Sequence, residues 1–435
     1  MNEALRHLRR LSTIRSGNNI KFLTPAVYSG GWCPMRTACN ICEAIPGMSY
    51  LIVGMPECAT YSRGMTSEPE GLHGEQRRIY VLDANEVIFG CRKGLIDALR
   101  TMDRDGARAI LMIATCVTDL IGEDFEGIIH EVQPELNARL SYITLGQFKN
   151  FGSAAGVWKT VESFGAMMAK KPISVNRANA IFVEGWHNKN ETIMLPLIVD
   201  ALEERGADVR RITSDAALDD FLAAPDAALN LPLSAGAQPL AAKMAAAFGI
   251  PCAPLHSAFS VADVDDVYGN IADAFGIEWG GAFAEWRDRA AALEERARAE
   301  LRGLRYVMLP GVDMSVNLAV YLASFGMEPL LLTIEDLLGE DIASAKLLNA
   351  AGYDPPVCRM MNIDLDIEVV RRLGPDISFG YIPDPIEGFL CVEEMGDFYG
   401  MTGYERAVCL LERIFDVLST GKTVGRIDRH GILSL

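Results

Sequence analysis

The sequence predicts an α/β protein of three Rossmann-like domains, each a parallel sheet flanked by helices. Short, continuous apolar runs alternate with helical patterns along most of the chain, and this alternation is typical of parallel sheets covered on both faces. A unit of strand, helix, glycine and strand occurs twice, with its glycine at Gly206 and again at Gly326. Glycine at this place is the usual C-terminal cap of a helix. The repeat indicates two similar domains after a first one.

The patterns divide the chain as follows. The predicted segments are an N-terminal extension at 1–19, a first α/β domain at 20–175, a second at 176–281, a linker helix at 282–304, a third α/β domain at 305–402, and a C-terminal helix and tail at 403–435.

The first domain carries four predicted strands, at 20–24, 50–53, 109–115 and 141–145. A helix is expected to begin at Asp83, because Glu86 stands three residues later and completes a capping box. The apolar stripe of this helix is assigned to Val87, Ile88, Leu95, Ile96 and Leu99.

The later domains follow the same plan. In the second, a strand at 180–183 precedes a helix at about 191–205 and a strand at 209–212. In the third, a strand at 305–309 precedes a helix that ends at Phe325 and a strand at 329–333. The linker is rich in Ala, Glu and Arg, which favours a long exposed helix, and a last helix is expected at about 405–418.

Charge and composition exclude several classes of function. The net charge is −18 and no patch is rich in Lys and Arg, which argues against nucleic acid or an anionic membrane as the main partner. No apolar run reaches the roughly 18 residues of a membrane span, and the N-terminus has no secretion signal. We therefore expect a cytoplasmic protein, in which ten cysteines are reduced thiols or metal ligands.

Three short motifs carry little weight. Gly421-Lys-Thr423 follows a helix instead of a strand, and the phosphate-binding motif would require a glycine where Asp416 stands. The six histidines are scattered without the spacing of a zinc site. Cys39 and Cys42 form a single CxxC in a predicted helix after Pro34, and the sequence leaves open whether they bind a metal.

Three other cysteines form the candidate site. Cys33, Cys58 and Cys116 each follow a predicted strand, and sites in parallel sheets form beyond the carboxyl ends of the strands. A helix predicted from Asp119 onward would favour an anionic thiolate at Cys116. Three converging thiols are the ligands of a metal–sulfur cluster. The alternative is three unrelated buried thiols, which is the interpretation we give to the isolated cysteines Cys91, Cys252, Cys358, Cys391 and Cys409.

The segments around these cysteines resemble component 1 of nitrogenase and its relatives. The similar segments are Cys33-Pro34, 54–63, 87–90 and 115–124. The intervals of 25 residues from Cys33 to Cys58 and 58 from Cys58 to Cys116 are more similar to the β-type chain than to the α-type chain. The resemblance extends to the three-domain plan and so to nearly the whole chain.

The resemblance implies a function in electron transfer. In that family, three cysteines of one chain and three of a partner hold an [8Fe-7S] cluster at the subunit interface. The cluster relays electrons from an ATP-dependent [4Fe-4S] reductase to a catalytic cofactor. By this resemblance Cys33, Cys58 and Cys116 are half of a ligand set within an α2β2 heterotetramer, and Ser153 is similar to a serine that ligates the oxidised cluster in some β-type chains. Three cysteines cannot complete even a four-iron cluster, which independently implies a further ligand, most simply from a partner.

Departures from the α-type chain support the β-type assignment. The α-type chain supplies a cysteine and a histidine to the catalytic cofactor, whereas here residues 229–236 contain no cysteine and no histidine stands between His256 and His430. Within the family, the overall resemblance favours the β-like subunit of a methylthio-alkane reductase, which cleaves C–S bonds.

Several alternatives stay open. Within the family they are a nitrogenase β-chain, a subunit of dark-operative protochlorophyllide reductase, and the tetrapyrrole reductase of the methanogenic coenzyme pathway. A different class is a cofactor-assembly scaffold with a [4Fe-4S] or precursor cluster. A non-enzymatic α/β binding protein with incidental cysteines is the last alternative.

Overall fold

The computed structural model describes residues 3–25, 33–63, 70–149, 154–182, 195–213, 216–312, 314–380, 390–392 and 400–421. In this part of the chain the strands are β1 (Arg9–Arg10), β2 (Lys21–Phe22), β3 (Met48–Gly54), β4 (Arg77–Val81), β5 (Ala109–Ala114), β6 (Arg139–Thr144), β7 (Ser174–Phe182), β8 (Asp208–Thr213), β9 (Ala227–Pro232), β10 (Arg305–Met308), β11 (Glu328–Thr333), β12 (Pro356–Arg359), β13 (Ile377–Phe379) and β14 (Cys391–Val392). The helices of the same residues are α1 (Pro34–Ala44), α2 (Pro56–Arg63), α3 (Ala84–Phe89), α4 (Arg92–Arg104), α5 (Cys116–Ile121), α6 (Phe125–Val132), α7 (Ala154–Phe164), α8 (Leu197–Glu204), α9 (Leu218–Ala223), α10 (Gln238–Phe248), α11 (Val261–Phe275), α12 (Ala284–Glu300), α13 (Ser315–Ala323), α14 (Gly339–Ala350), α15 (Ile363–Leu373) and α16 (Tyr404–Thr420).

The strands form three sheets, and the chain divides into two compact units. The cysteine unit comprises Trp32–Ile193 and Leu202–Ala253 and contains two of the sheets. The terminal unit comprises Met1–Gly31, Met194–Ala201 and Pro254–Leu435 and contains the third. The α/β class with parallel sheets flanked by helices is confirmed, whereas the division into three domains stays a prediction.

The first sheet of the cysteine unit has the order β4-β3-β5-β6, with all strands parallel. Its central strands β3 and β5 are buried along their whole length. Tyr50 and Ile52 pack into the core on one face, while Leu51 and Val53 pack into the core on the other. Both faces are covered, so the strands are continuous apolar runs instead of alternating ones.

The second sheet of this unit has the order β8-β7-β9, again parallel. Its centre contains two fully buried asparagines. The Asn179 Nδ2 donates to Asn230 Oδ1 at 2.9 Å and to the Ala224 carbonyl. This buried nitrogen therefore has hydrogen-bond acceptors.

The sheet of the terminal unit has the order β1-β12-β11-β10-β13-β14, with β2 also paired to β12. The predicted strand at 20–24 is here, so its assignment to the first sheet was wrong: Lys21 and Phe22 pair with Cys358 and Arg359. The buried guanidinium of Arg359 donates to the Ile20 carbonyl at 2.8 Å, which holds the segment at this edge. An apolar run alone does not specify which sheet edge it joins.

The helix predicted from Asp83 is two helices. The capping box is present: Asp83 Oδ1 accepts from the Glu86 amide at 2.9 Å, and Glu86 Oε2 accepts from the Asp83 amide at 3.0 Å. The helix breaks at Gly90, whose φ of 87° is in the region that favours glycine. The stripe is therefore divided, because Leu95 is buried on α4 whereas Ile88 is exposed on α3.

The predicted linker helix forms as α12 but is not exposed on all sides. It packs along α16, and Ala290 and Ala297 are fully buried. The Arg296 guanidinium lies 3.8 Å from the centre of the Phe415 ring, a cation–π contact between these two helices. None of the helices in the described residues is long and apolar enough to cross a bilayer.

Helices α1 and α7 of the cysteine unit approach each other closely at Gly156. A Cβ atom at this position would lie 2.4 Å from the Pro34 carbonyl oxygen and 2.8 Å from the Thr37 Cβ. This contact seats the first turn of α1, directly after Cys33, against α7.

The terminal unit buries an acidic side chain at the start of α16. Glu405 accepts a hydrogen bond from the Leu197 amide at 3.0 Å, and its second oxygen has no partner. Burial raises the pKa of Glu405 to about 7. The folded chain therefore binds a proton here that the unfolded chain has already released above its ordinary pKa of about 4.3.

We expect Gly156→Ala to lower the free energy of unfolding by about 1–3 kcal/mol, because the added methyl overpacks the contact between α1 and α7. The measurement is the urea midpoint of the purified protein. The matched control is Gly269→Ala on α11, where a Cβ meets no atom within 4 Å. That change should stabilise the protein by up to about 1 kcal/mol, since alanine favours helix. Equal effects of the two substitutions would contradict the close approach.

The contribution of Glu405 to stability should fall as pH rises from about 4.3 to about 7 and stay lost above that value, because the raised pKa favours the protonated, folded form at low pH. Glu405→Gln keeps an acceptor for the Leu197 amide and removes the ionisation. Its Tm relative to the parent should therefore be higher at about pH 8 than at about pH 5. Glu412→Gln, on the surface of the same helix, is the control. A difference in Tm that does not change with pH would contradict the assignment.

Candidate functional site

Each of the three predicted cysteines is at the N-terminal end of a helix. Cys33 immediately precedes α1, Cys58 is the third residue of α2, and Cys116 is the first residue of α5. All three belong to the cysteine unit and are half-buried. The helix predicted from Asp119 thus begins three residues earlier, at Cys116 itself.

Two of these cysteines are positioned by the central strands of the first sheet. Cys58 follows β3 and Cys116 follows β5, and these parallel strands pair directly, with Val53 opposite Ala114. The hydroxyls of Thr115 and Thr118 donate to the Val53 carbonyl at 2.9 and 3.2 Å, which fixes α5 to the end of β3. The prediction from strand ends is correct for these two cysteines.

Cys33 is not positioned by a strand of the first sheet. Its predicted strand is in the terminal unit, so the helix α1 positions it instead, with the Cys33 carbonyl accepting from the Arg36 amide at 2.9 Å. Burial raises the pKa of the Cys33 thiol, and the amides of Met35 and Arg36, which hydrogen-bond to it, oppose the shift. Repulsion from Cys116 and Cys58 raises its pKa further. The pKa of Cys33 thus depends on the charge of both other thiols.

The sulfur of Cys116 has a defined hydrogen-bond donor. The Gln147 amide, in the turn after β6, donates to Cys116 Sγ at 3.3 Å. Amide donors to thiolate sulfur stabilise negative charge there and are a usual feature of iron–sulfur sites.

Three thiols are donors of the kind that an iron–sulfur cluster takes. Within the residues that the structure describes, no three His, Cys, Asp or Glu side chains are grouped to hold one ion. A cluster takes its thiolates on separate iron atoms, so that its ligands stand farther apart than around one ion. Three thiols remain an incomplete set even for four irons. Ser153 lies outside the described residues, and its predicted role stays a prediction.

The other seven cysteines differ from these three in burial or in position. All ten cysteines are within the described residues, and none of them forms a disulfide. Cys39 and Cys42 are fully buried in the core on α1, and burial raises the pKa of both thiols, which disfavours the anionic form that a metal needs. Cys91, Cys358 and Cys391 are buried as expected, whereas Cys252 and Cys409 are partly buried.

The sequence patterns missed an exposed apolar surface beside Cys116, which we call the apolar face. It is formed by α3, α5 and the turn after β6, and α3 contacts α5. Its members, with their exposed fractions, are Ile88 (72%), Phe89 (83%), Leu120 (73%), Ile121 (37%) and Phe148 (43%). The signal available in the sequence was Gly90, because a glycine that ends the helix separates Ile88 and Phe89 from the buried residues of α4.

The chain matches known proteins over most of its length. Residues 33–419 match the family described as nitrogenase component 1 type oxidoreductase. The nitrogenase iron-molybdenum cofactor biosynthesis protein NifE of Clostridium pasteurianum is 26% identical over 257 residues, which are 56% of this chain and 55% of that protein. The NifE protein of Nostoc sp. is 27% identical over 352 residues, 75% of this chain and 70% of that protein. The chain thus spans about half the length of the Clostridium relative.

Solved structures agree with the fold. The structure "Nitrogenase Cp1 at pH 6.5" superposes with a TM-score of 0.64 at 16% identity, covering 92% of this chain and 94% of that one. A second, "Nitrogenase Cp1 at pH 5", has a TM-score of 0.57 at 19% identity and covers 94% and 91%. At such identities the likeness shows the fold alone. The family match over 33–419 shows more: the chain belongs to the nitrogenase component 1 type oxidoreductase family.

Proposed function

We propose that this chain is the β-type, electron-relaying subunit of a nitrogenase-like reductase. Cys33, Cys58 and Cys116 supply its half of an [8Fe-7S] cluster, and an α-type chain supplies the remaining ligands within an α2β2 heterotetramer. When bound, such a cluster supplies one-electron transfer at low potential. The observation that carries the proposal is that three half-buried thiols stand at helix N-termini of one unit, two of them after paired parallel strands, and are too few to complete a cluster. Component 1 proteins generally bind iron–sulfur clusters and form α/β heterotetramers served by a reductase.

The β-type assignment is supported by residues that a cofactor-bearing chain would need. Residues 229–236, which include the end of β9, contain no cysteine. His256 is fully buried, and its Nε2 lies 2.8 Å from Glu340 Oε2, so its ring serves an internal pair. No other histidine follows before His430. The catalytic cofactor is therefore assigned to the partner.

The apolar face supports docking of the reductase next to the cluster cysteines. Large exposed apolar residues that lie together are typical of a protein interface. Helix α5 has only six residues and carries Cys116 at one end and Leu120 and Ile121 at the other. A protein seated on this face is thus separated from the cysteine by a single short helix, which suits electron transfer between the two.

Methylthio-alkanes are the substrate that we propose, with reductive cleavage of the C–S bond on the α-type partner. This part of the proposal is supported by the overall resemblance of the chain and by no single residue. It is tested by anaerobic turnover with the cognate reductase and ATP, offering methylthio-ethanol, dinitrogen and protochlorophyllide in parallel. A rate with dinitrogen or protochlorophyllide and none with methylthio-ethanol would replace the substrate and leave the relay function intact.

A cofactor-assembly scaffold is the second candidate. It is favoured by the names of the curated relatives, which are cofactor biosynthesis proteins at 25 to 27% identity. A scaffold would hold a [4Fe-4S] or precursor cluster at the same cysteines and would not turn over substrate with the reductase.

Iron content separates the two candidates. After anaerobic purification with the α-type partner, a shared eight-iron cluster should give well above four irons per αβ pair, whereas a scaffold with one four-iron cluster should give about four. Cys58→Ala should lower the iron and sulfide content of the pair, because one thiolate is lost from an already incomplete set. Cys252→Ala, a partly buried cysteine of the same core, is the control and should retain full iron. Iron that does not depend on Cys58 would exclude both candidates.

Phe89→Asp should reduce ATP-dependent turnover by at least about tenfold at limiting reductase, since a buried charge replaces an aromatic anchor of the docking surface. Iron content should stay unchanged. Leu347→Asp, at an exposed apolar position on α14 in the terminal unit (59% exposed, against 83% for Phe89), is the control and should leave the rate unaltered. If saturating reductase restores the rate of Phe89→Asp, the defect is in docking. An unchanged rate at limiting reductase would place the docking surface elsewhere.

A further inference from the structure

We infer that Asp119 is a positioning residue for the cluster site: it fixes the Gly146–Lys149 turn so that the Gln147 amide hydrogen-bonds to the Cys116 sulfur and raises the reduction potential of the bound cluster. This inference rests on the proposed cluster at Cys33, Cys58 and Cys116.

The carboxylate of Asp119 binds both ends of this turn. Its Oδ2 accepts from the Gly146 amide at 3.2 Å, and its Oδ1 accepts from Lys149 Nζ at 2.7 Å. The turn is closed by the Lys149 amide, which donates to the Gly146 carbonyl at 2.9 Å. The side chain of Asp119 is only 7% exposed, whereas that of Lys149 is 52% exposed, so the carboxylate is the buried partner of these contacts.

Asp119 and Cys116 lie on the same fixed helix. The hydroxyls of Thr115 and Thr118 hold α5 to β3, as described above, and the Asp119 amide donates to the Thr115 carbonyl at 3.0 Å. The turn, in contrast, leaves the sheet at Leu145, whose amide makes the last ladder hydrogen bond, to Ala114. Asp119 therefore links the turn to α5, which the two threonines hold in place.

The contact at Gly146 is close. A Cβ atom there would lie 2.5 Å from Asp119 Oδ2 and 2.8 Å from the Phe148 ring. A methyl group at 146 would therefore displace the Asp119 carboxylate or the turn and so weaken their contact.

The expected consequence is electrochemical. An amide N–H that points at a ligand sulfur stabilises the extra negative charge of the reduced cluster more than the charge of the oxidised one. The hydrogen bond therefore raises the reduction potential, and its loss should make the potential more negative.

Gln147→Pro tests the hydrogen bond directly. It removes one N–H without a change of charge, and position 147 is the second residue of the turn, where proline is favoured. The holoprotein, purified with its partner, should show a more negative midpoint potential in an EPR-monitored redox titration, with iron content unchanged. Gln147→Ala keeps the amide and is the control, which should titrate as the parent does.

Asp119→Ala tests the positioning. If Asp119 acted only through its charge, its removal would make the cluster easier to reduce and the potential less negative. If it acts by holding the turn, the potential should become more negative, in the direction of Gln147→Pro. The double variant should then show no larger shift than Gln147→Pro alone, because both changes remove the same hydrogen bond. Glu126→Gln, which removes one exposed negative charge from α6, is the control for charge.

Gly146→Ala disturbs the same contact without a change of charge, and it replaces Asp119→Ala if that variant assembles poorly. Its midpoint potential should also be more negative than that of the parent. Potentials that stay unchanged in Gln147→Pro, or a less negative potential in Asp119→Ala, with full iron, would overturn the inference and leave the proposed relay function standing. A parent protein without an iron–sulfur cluster would overturn both.

Discussion

The site depends on the parallel pairing of β3 with β5. These strands are buried on both faces, end at the same edge of the sheet, and deliver Cys58 and Cys116 there as the first turns of α2 and α5. The hydroxyls of Thr115 and Thr118 tie the end of β5 to the carbonyl of Val53. Because apolar side chains on both faces fix the register, the two cysteines are held by the core of the unit and not by a loop.

Beside these strands lie two features that a single chain leaves incomplete: a ligand set and an exposed apolar surface. Three thiols are too few for a cluster, and the apolar face beside them is exposed. In the proposed function both features are explained by contact with other proteins. A homologous subunit would supply the missing ligands, and a reductase would cover the apolar face. The fully buried His256 and the absence of a cysteine at 229–236 are the observations on which the proposed electron-relaying role of this chain depends.

Specific residues explain which structural features sequence reasoning could and could not find. The strand ends at Val53 and Ala114 were predictable, because doubly covered parallel strands are apolar without interruption. The strand at 21–22 was recognised but placed in the wrong sheet, since its hydrogen-bond partner Arg359 is more than 330 residues away along the chain. The break at Gly90 was missed because the pattern after Asp83 continues with apolar residues at helical spacing, and only the positive φ of the glycine divides it.

By itself, the sequence determined the α/β class, the capping box at Asp83, the core strands and the three cysteines that form the candidate site. Those features depend on local spacing and on burial patterns that neighbouring residues carry. Only the tertiary structure decided that α1 positions Cys33 instead of a strand, and that Ile88 and Phe89 face solvent. It also decided that the Asp119 carboxylate binds the turn whose Gln147 amide donates to the Cys116 sulfur. The exposure of Ile88 and Phe89 follows from the helix break at Gly90. The contact between Asp119 and the turn joins segments that are separated in sequence, and such packing leaves no periodic signal in the residues themselves.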